Sequence, residues 1–289
     1  MNPKSEELNP SNEIQRLFKR SHALVGMLHL LPLPGSPRFT RTAGMAAVLD
    51  QAMSEAELLL SSGFDGFIVE NAWDIPFVKE VDLGPETPAS LAVVVAALRR
   101  EFPKVPIGVN CLANAVEVSI SVAAAAGADF VRSNQWVNAY VANEGLIEGR
   151  AGNVARYRRS IDAENITVWA DVNVKLGSHA ITADRSLVQQ AKDAAWFDAN
   201  ALIVTGARLG DEPKSEDIVE MTNATSLPVV VGSGVRPDNL SMIFEHAQAV
   251  IVGSSIKVGG IWHGKMDPTV LNDIVSERNH IAGSGRQSK

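Results

Sequence analysis

Ala201-Leu202-Ile203-Val204, Val229-Val230-Val231 and Ala249-Val250-Ile251-Val252 are three short, largely β-branched runs, separated by segments of helical period at 215–225 and 240–247. A run that is apolar at every position, and not at alternate ones, is what a strand buried on both faces requires. The same rhythm extends toward the N-terminus. Leu24-Val25-Gly26-Met27-Leu28, Gly66-Phe67-Ile68-Val69, Ile107-Gly108-Val109, Phe130-Val131 and Val168-Trp169-Ala170 bring the runs to eight. Between them, Met45, Val48, Leu49, Ala52, Ala56, Leu59 and Leu60 recur with a period of about 3.6, as do Leu91, Val94, Val95, Leu98 and Phe102. Weaker helical patterns occupy 115–126, 153–161, 187–197 and 270–274.

Regular alternation of buried strands with helices specifies a parallel sheet, and eight units is the count that closes it. The expected fold class is therefore α/β, with a single (β/α)8 TIM barrel over 21–281, a polar leader over 1–20 and a flexible tail over 282–289. The competing fold is an open doubly wound sheet. It carries about five or six strands and a G-x-G-x-x-G fingerprint after the first. Here the first run leads instead into the proline-rich His29-Leu30-Leu31-Pro32-Leu33-Pro34.

The 289 residues are 46% hydrophobic and 20% charged, with a mean hydropathy of +0.04, which excludes disordered and fibrous classes. A net charge of -7 and a pI near 5.4 exclude general affinity for nucleic acid, which needs a basic face. The lone cysteine, Cys111, excludes a disulfide framework and a multi-thiolate zinc site, and points to a reducing, cytoplasmic setting. Residues 23–33 follow Lys19-Arg20 as a secretory signal would, yet contain His29 and Pro32 and lack a small-residue cleavage site. They read as strand and loop. No uncharged apolar stretch reaches the ~18 residues of a membrane span, so direct insertion is not expected.

In such a barrel, chemistry gathers at the C-terminal strand ends. The polar residues there are His29, Glu70, Asn71, Asn110, Arg132, Asp171, Asn173, Lys175 and Thr205. Strand alternation puts Trp169, Asp171, Asn173 and Lys175 on one face, and Val168, Val172 and Val174 on the other, toward the helices. The plain reading of Asp171 and Lys175 is a mutual ion pair at a solvated rim. The catalytic reading makes Lys175 a base or Schiff-base nucleophile and Asp171 a proton carrier. Glu70 reads either as an acid/base or as a helix-capping or loop-tethering carboxylate, and His29 as a metal ligand, a general acid or a hydrogen-bonded core histidine. Asn71, Asn110, Arg132, Asn173 and Thr205 are candidates to hold a substrate. No H-x-H or H-E-x-x-H spacing supports a metal, and neither metal nor cofactor enters the expectation.

Gly232-Ser233-Gly234 follows the seventh run directly, and Gly253-Ser254 follows the eighth. Barrels often bind phosphate at these two loops, where small residues let backbone N–H groups reach an anion. Each pair alone also suits a tight turn; together they favour phosphate. On this reading a bulky residue at Gly234 weakens phosphorylated ligands selectively.

The strings 27–38 (Met-Leu-His-Leu-Leu-Pro-Leu-Pro-Gly-Ser-Pro-Arg), 70–77 (Glu-Asn-Ala-Trp-Asp-Ile-Pro-Phe), Gly108-Val109-Asn110, 144–149 (Glu-Gly-Leu-Ile-Glu-Gly), 170–175 (Ala-Asp-Val-Asn-Val-Lys), Val204-Thr205-Gly206 and Val231-Gly232-Ser233-Gly234 occur in this order. In order and spacing they resemble the BtpA/SgcQ family over about residues 22–280. The resemblance implies a barrel of the ribulose-phosphate-binding type. Cyanobacterial members of that family are linked to photosystem I accumulation, while many others occur in non-photosynthetic organisms beside sugar-phosphate or nucleoside metabolism. The chain departs from the family pattern at Ala113 and Ala115, where Arg and Asp are usual. It departs again at Ala142-Asn143-Glu144-Gly145 in place of Thr-Asp-Gln-Gly, and at 174–180, where an inserted Leu-Gly-Ser splits the usual Val-Lys-His-Ala. Altered substrate choice, or weakened chemistry, is the expectation.

Two functions follow. One is an enzyme, an isomerase, lyase or hydrolase, acting on a phosphorylated sugar or nucleoside-like metabolite by acid/base or lysine chemistry. The other, implied by the resemblance alone, is a non-catalytic assembly or stability factor for a membrane complex, as in photosystem I biogenesis. A homo-oligomer is compatible with either.

Overall fold

The computed structural model describes residues 12–206, 208 and 210–284. Ten strands occur among them: β1 (Ala23–His29), β2 (Gly66–Glu70), β3 (Ile107–Asn110), β4 (Phe130–Ser133), β5 (Ala139–Ala142), β6 (Gly145–Glu148), β7 (Thr167–Val172), β8 (Ala201–Val204), β9 (Val229–Val231) and β10 (Ala249–Val252). All except β5 and β6 are parallel and close into a barrel in the order β1-β10-β9-β8-β7-β4-β3-β2. The helices are α1 (Asn12–Phe18), α2 (Gly44–Ser62), α3 (Glu86–Glu101), α4 (Val116–Ala126), α5 (Ala151–Ser160), α6 (Leu187–Trp196), α7 (Ser215–Ala224), α8 (Leu240–Phe244) and α9 (Pro268–Ser284). The eight apolar runs are the eight barrel strands, each followed by a helix.

Two buried shells explain why those runs are apolar throughout. Leu24, Leu28, Val69, Val131, Val168, Val172, Val204 and Val252 face the helices, whereas Val25, Met27, Ile68, Phe130, Trp169, Ile203, Val230 and Ile251 fill the barrel. Phe130 and Trp169 stack inside it at 4.2 Å. Gly108 makes room for them, since a Cβ there would lie 2.5 Å from the Phe130 ring. The register His29↔Glu70↔Asn110 then sets the next inward residues level with one another, above this apolar layer.

Part of the expected polar leader is structural. Residues 12–18 form α1, whose Ile14 and Phe18 are buried against the barrel's lower layer, with Phe18 5.9 Å from Trp169 and 6.2 Å from Phe130. Ile14, Leu17 and Phe18 share one helical face, and capping the open bottom of the barrel overrides the polar residues around them. Residues 1–11 of that leader and 285–289 of the expected tail lie outside the described residues, while 282–284 continue α9. Phe18→Ala is expected to lower stability by about 3 kcal/mol, read from a thermal or urea melt. A loss below about 0.5 kcal/mol, as for an exposed residue, would contradict the role of α1 as a plug.

The β5–β6 hairpin interrupts the alternation between β4 and α5. Tyr140 and Ile147 pack there on Val174, so Val174 meets the hairpin and not the helices as expected. Strand β7 ends at Val172, and Asn173 adopts a left-handed φ of 59°, which breaks the alternation assumed for 168–175. Among the described residues no helix is long and apolar enough to cross a membrane.

Candidate active site

The C-terminal ends of the strands surround a cavity of about 410 Å³. His29 from β1, Glu70 from β2 and Arg132 from β4 line it, as do Lys175 after β7 and the loops after β9 and β10. The parallel register puts these polar groups at the mouth because the apolar layer below has consumed the inward positions further down each strand.

Glu70 is buried, and its Oε2 accepts from Asn110 Nδ2 at 2.5 Å. Its Oε1 lies 3.8 Å from His29 Nε2. Burial depresses the His29 pKa, with the Glu70 carboxylate opposing the shift only in part, so the imidazole is neutral at pH 7. Nδ1 then donates to the Trp262 carbonyl at 3.0 Å, which leaves Nε2 an acceptor facing the carboxylate. Two acceptors 3.8 Å apart form a slot that takes two ligand donors, such as a pair of neighbouring hydroxyls.

Asp171 is not the partner of Lys175. Its side chain, fully buried, accepts from Arg132 Nη2 at 3.0 Å, from Arg132 Nε at 3.2 and 3.3 Å, and from Asn134 Nδ2 at 3.0 Å. The carboxylate is thereby saturated. The guanidinium is locked in plane and faces the cavity. Lys175 instead donates from Nζ to the Gly232 carbonyl at 3.3 Å, while its backbone N–H donates to Thr205 Oγ1 at 3.2 Å. Burial, helped by the Arg132 charge and opposed by Asp171 and Glu70, pushes the Lys175 pKa down to about 8. An amine of that pKa is a base near neutral pH.

Gly232, Ser233, Gly234, Gly253 and Ser254 all border this one cavity. Ser233 borders the cavity, and its Oγ is buried and unpartnered among the described residues, a donor without an acceptor. Gly234 has a second reason to be glycine. It sits at φ +66°, and a Cβ would lie 2.2 Å from the Glu212 backbone nitrogen, so a bulky substitution strikes the preceding loop before it reaches an anion. Gly234→Val therefore reports on packing, and Ser233 is the position that probes the anion.

Four expected ligand holders do not line the cavity. Asn71 is buried, accepting from Leu112 N at 2.8 Å and donating to Asp74 Oδ2 at 3.1 Å, which ties the loops after β2 and β3 together. Thr205 stands behind Lys175 as its backbone anchor, and Asn173 is exposed outside the mouth. Asn110 reaches the cavity only through Glu70. Conversely, Asn134, Trp262 and Tyr140 line the cavity without any sequence expectation, and Ile75-Pro76-Phe77, Asn143 and Glu144 line it although they entered only through the family pattern and not as site candidates. Asn134 sits two residues past Arg132, at a strand end, a signal that was legible. The hairpin left a weaker one, the Asn143-Glu144-Gly145 turn between two short apolar stretches, with Gly145 at φ 93°. Cys111, at the end of β3, is buried, which raises its thiol pKa well beyond the neutral range and keeps it inert. Among the described residues no three His, Cys, Asp or Glu side chains gather as a metal site.

A closed barrel of eight parallel strands, with its polar mouth above an apolar interior, defines this chain as a TIM barrel. Thiamine phosphate pyrophosphorylase from Pyrococcus furiosus superposes with a TM-score of 0.54 at 13% identity, over 92% of this chain and 98% of that one, a likeness of fold. The chain belongs to the BtpA family, whose sequence pattern matches residues 20–280. It is 37% identical to an uncharacterised mitochondrial protein of Caenorhabditis elegans, over 93% of this chain and 97% of the relative. It is 33% identical to the photosystem I biogenesis protein BtpA of Synechocystis, over 91% and 90%.

Proposed function

We propose that the barrel mouth is the active site of an enzyme that acts on a phosphorylated sugar or nucleoside-like metabolite, with Lys175 as base or Schiff-base nucleophile. The observation that carries this reading is the convergence of Lys175, Arg132, Glu70 and His29 with both glycine–serine loops on one cavity. Phosphate binds the Gly232–Gly234 and Gly253–Ser254 backbone and the free Ser233 hydroxyl, which fixes one end of the substrate. The amine of Lys175, half-buried and with a lowered pKa, meets a carbonyl or an acidic C–H. Arg132, held by Asp171, stabilises the oxyanion or enolate that forms, and the two acceptors of Glu70 and His29 take a pair of substrate hydroxyls. The fold likeness to an enzyme whose name carries a phosphorylated substrate agrees with this assignment.

Calorimetric titration with ribose 5-phosphate and with ribose tests it. Ribose 5-phosphate is expected to bind and ribose to bind weakly or not at all. Ser233→Ala is expected to weaken ribose 5-phosphate by roughly tenfold, the worth of one charge-assisted hydrogen bond, without lowering the melting temperature. Equal affinity for the two sugars would remove the phosphate site. If no phosphorylated probe binds, a non-catalytic role of the kind carried in the Synechocystis relative's name becomes the better reading.

A further inference from the structure

We propose that the mouth contains a second subsite, for a flat heteroaromatic ring, so that the substrate class is a phosphomonoester of nucleoside type and not a simple sugar phosphate. This rests on the phosphate reading above and narrows it. Trp262, on the segment after β10, lines the cavity beside the anion loops. Its indole is held by other rings: Trp73 lies 5.0 Å away and His263 5.1 Å, these two are themselves 5.1 Å apart, and His29 approaches edge-on at 5.9 Å. Three mutually packed rings fix the central one at a set angle, and a fixed indole is a stacking platform prepared before the ligand arrives.

The wall continues as Ile75, Pro76, Phe77 and Leu112. The hydroxyls of a sugar gain nothing from such a surface, whereas a planar ring buries a whole face against it. A hydrocarbon chain would also suit the wall, but Asn143 and Glu144 of the hairpin tip line the same cavity, and a hydrocarbon offers them no partner. A ring with nitrogen and exocyclic polar groups at its edge meets both demands, stacking on its face and hydrogen-bonding at its rim. The cavity of about 410 Å³ falls within the ~300–1,000 Å³ of sites that enclose a ligand of several rings.

Adenosine 5′-monophosphate, uridine 5′-monophosphate and nicotinamide mononucleotide, titrated against ribose 5-phosphate, decide the matter, with calorimetry and tryptophan emission as readouts. At least one of the three is expected to bind roughly tenfold more tightly than ribose 5-phosphate and to quench the emission. Trp262→Leu is expected to erase that preference while leaving ribose 5-phosphate within about twofold, and Trp262→Phe to restore most of it. Ribose 5-phosphate binding as tightly as all three, or a preference that survives in Trp262→Leu, overturns the ring subsite and leaves the phosphate site standing. Failure of every phosphorylated probe, ribose 5-phosphate included, removes both.

Discussion

Lys175→Met is expected to lose turnover by about 100-fold or more, while melting at or above the wild-type temperature. The substitution deletes the amine and keeps most of the stem that packs beneath the Gly232 carbonyl. Stability does not suffer, because a half-buried ammonium carries a desolvation cost that a thioether does not. The pH dependence has a definite sign. A base acts when deprotonated, so the rate rises as pH increases through about 8 and falls below it. The burial penalty on the ammonium is present in full below that point and is relieved as pH climbs toward the ~10.4 of an unfolded-chain lysine, so this group's contribution to stability rises over the same window. A check that needs no substrate is the rate of trinitrophenylation at Lys175, mapped by mass spectrometry against pH. A midpoint near 8 supports the base; a midpoint near that of surface lysines contradicts it.

The second large effect is on folding. Asp171→Ala is expected to cost about 3–5 kcal/mol, and to lower the melting point by roughly 8 °C or more, because it strands the Arg132 guanidinium in a buried position. The double substitution Arg132→Met/Asp171→Leu is expected to recover most of that loss, since removing both charges removes the desolvation cost as well. Activity stays lost in the double variant. If Asp171→Asn kept the wild-type melting point and lost only turnover, Asp171 would be a reactant and not the clamp that holds Arg132.

How far this site was legible depends on parity. His29, Glu70, Arg132 and Asp171 lie on regular strands, where alternation gives side-chain direction, and each points inward as expected. Alternation fails one residue beyond a strand end. Left-handed Asn173 turns the chain, placing Val174 on the hairpin and Asn173 in solvent, and Lys175 returns to the mouth only because Thr205 holds its backbone. The Asp171–Lys175 pair was a plausible expectation from spacing within one segment. Arg132, on the neighbouring strand, won because a planar guanidinium engages the carboxylate through two nitrogens while Asn134 takes a further contact.

At the scale of the fold, the eight runs were legible because both their faces are buried. Helix α1 was not, since it buries only Ile14, Leu17 and Phe18, and its partners Phe130 and Trp169 are more than 100 residues away in the chain. The hairpin escaped for a related reason. Its apolar contacts, Tyr140 and Ile147 on Val174, form a small cluster outside the barrel's two shells, too short to impose a period.

A crystal structure of the protein soaked in ribose 5-phosphate tests the central claim most directly. The account predicts the phosphate in the cavity within hydrogen-bond distance of Ser233 Oγ and of backbone N–H groups in both the Gly232–Gly234 and Gly253–Ser254 loops, with the sugar directed toward Lys175. A phosphate seated away from those two loops, or a sugar bound beyond the reach of the Lys175 amine, would contradict it.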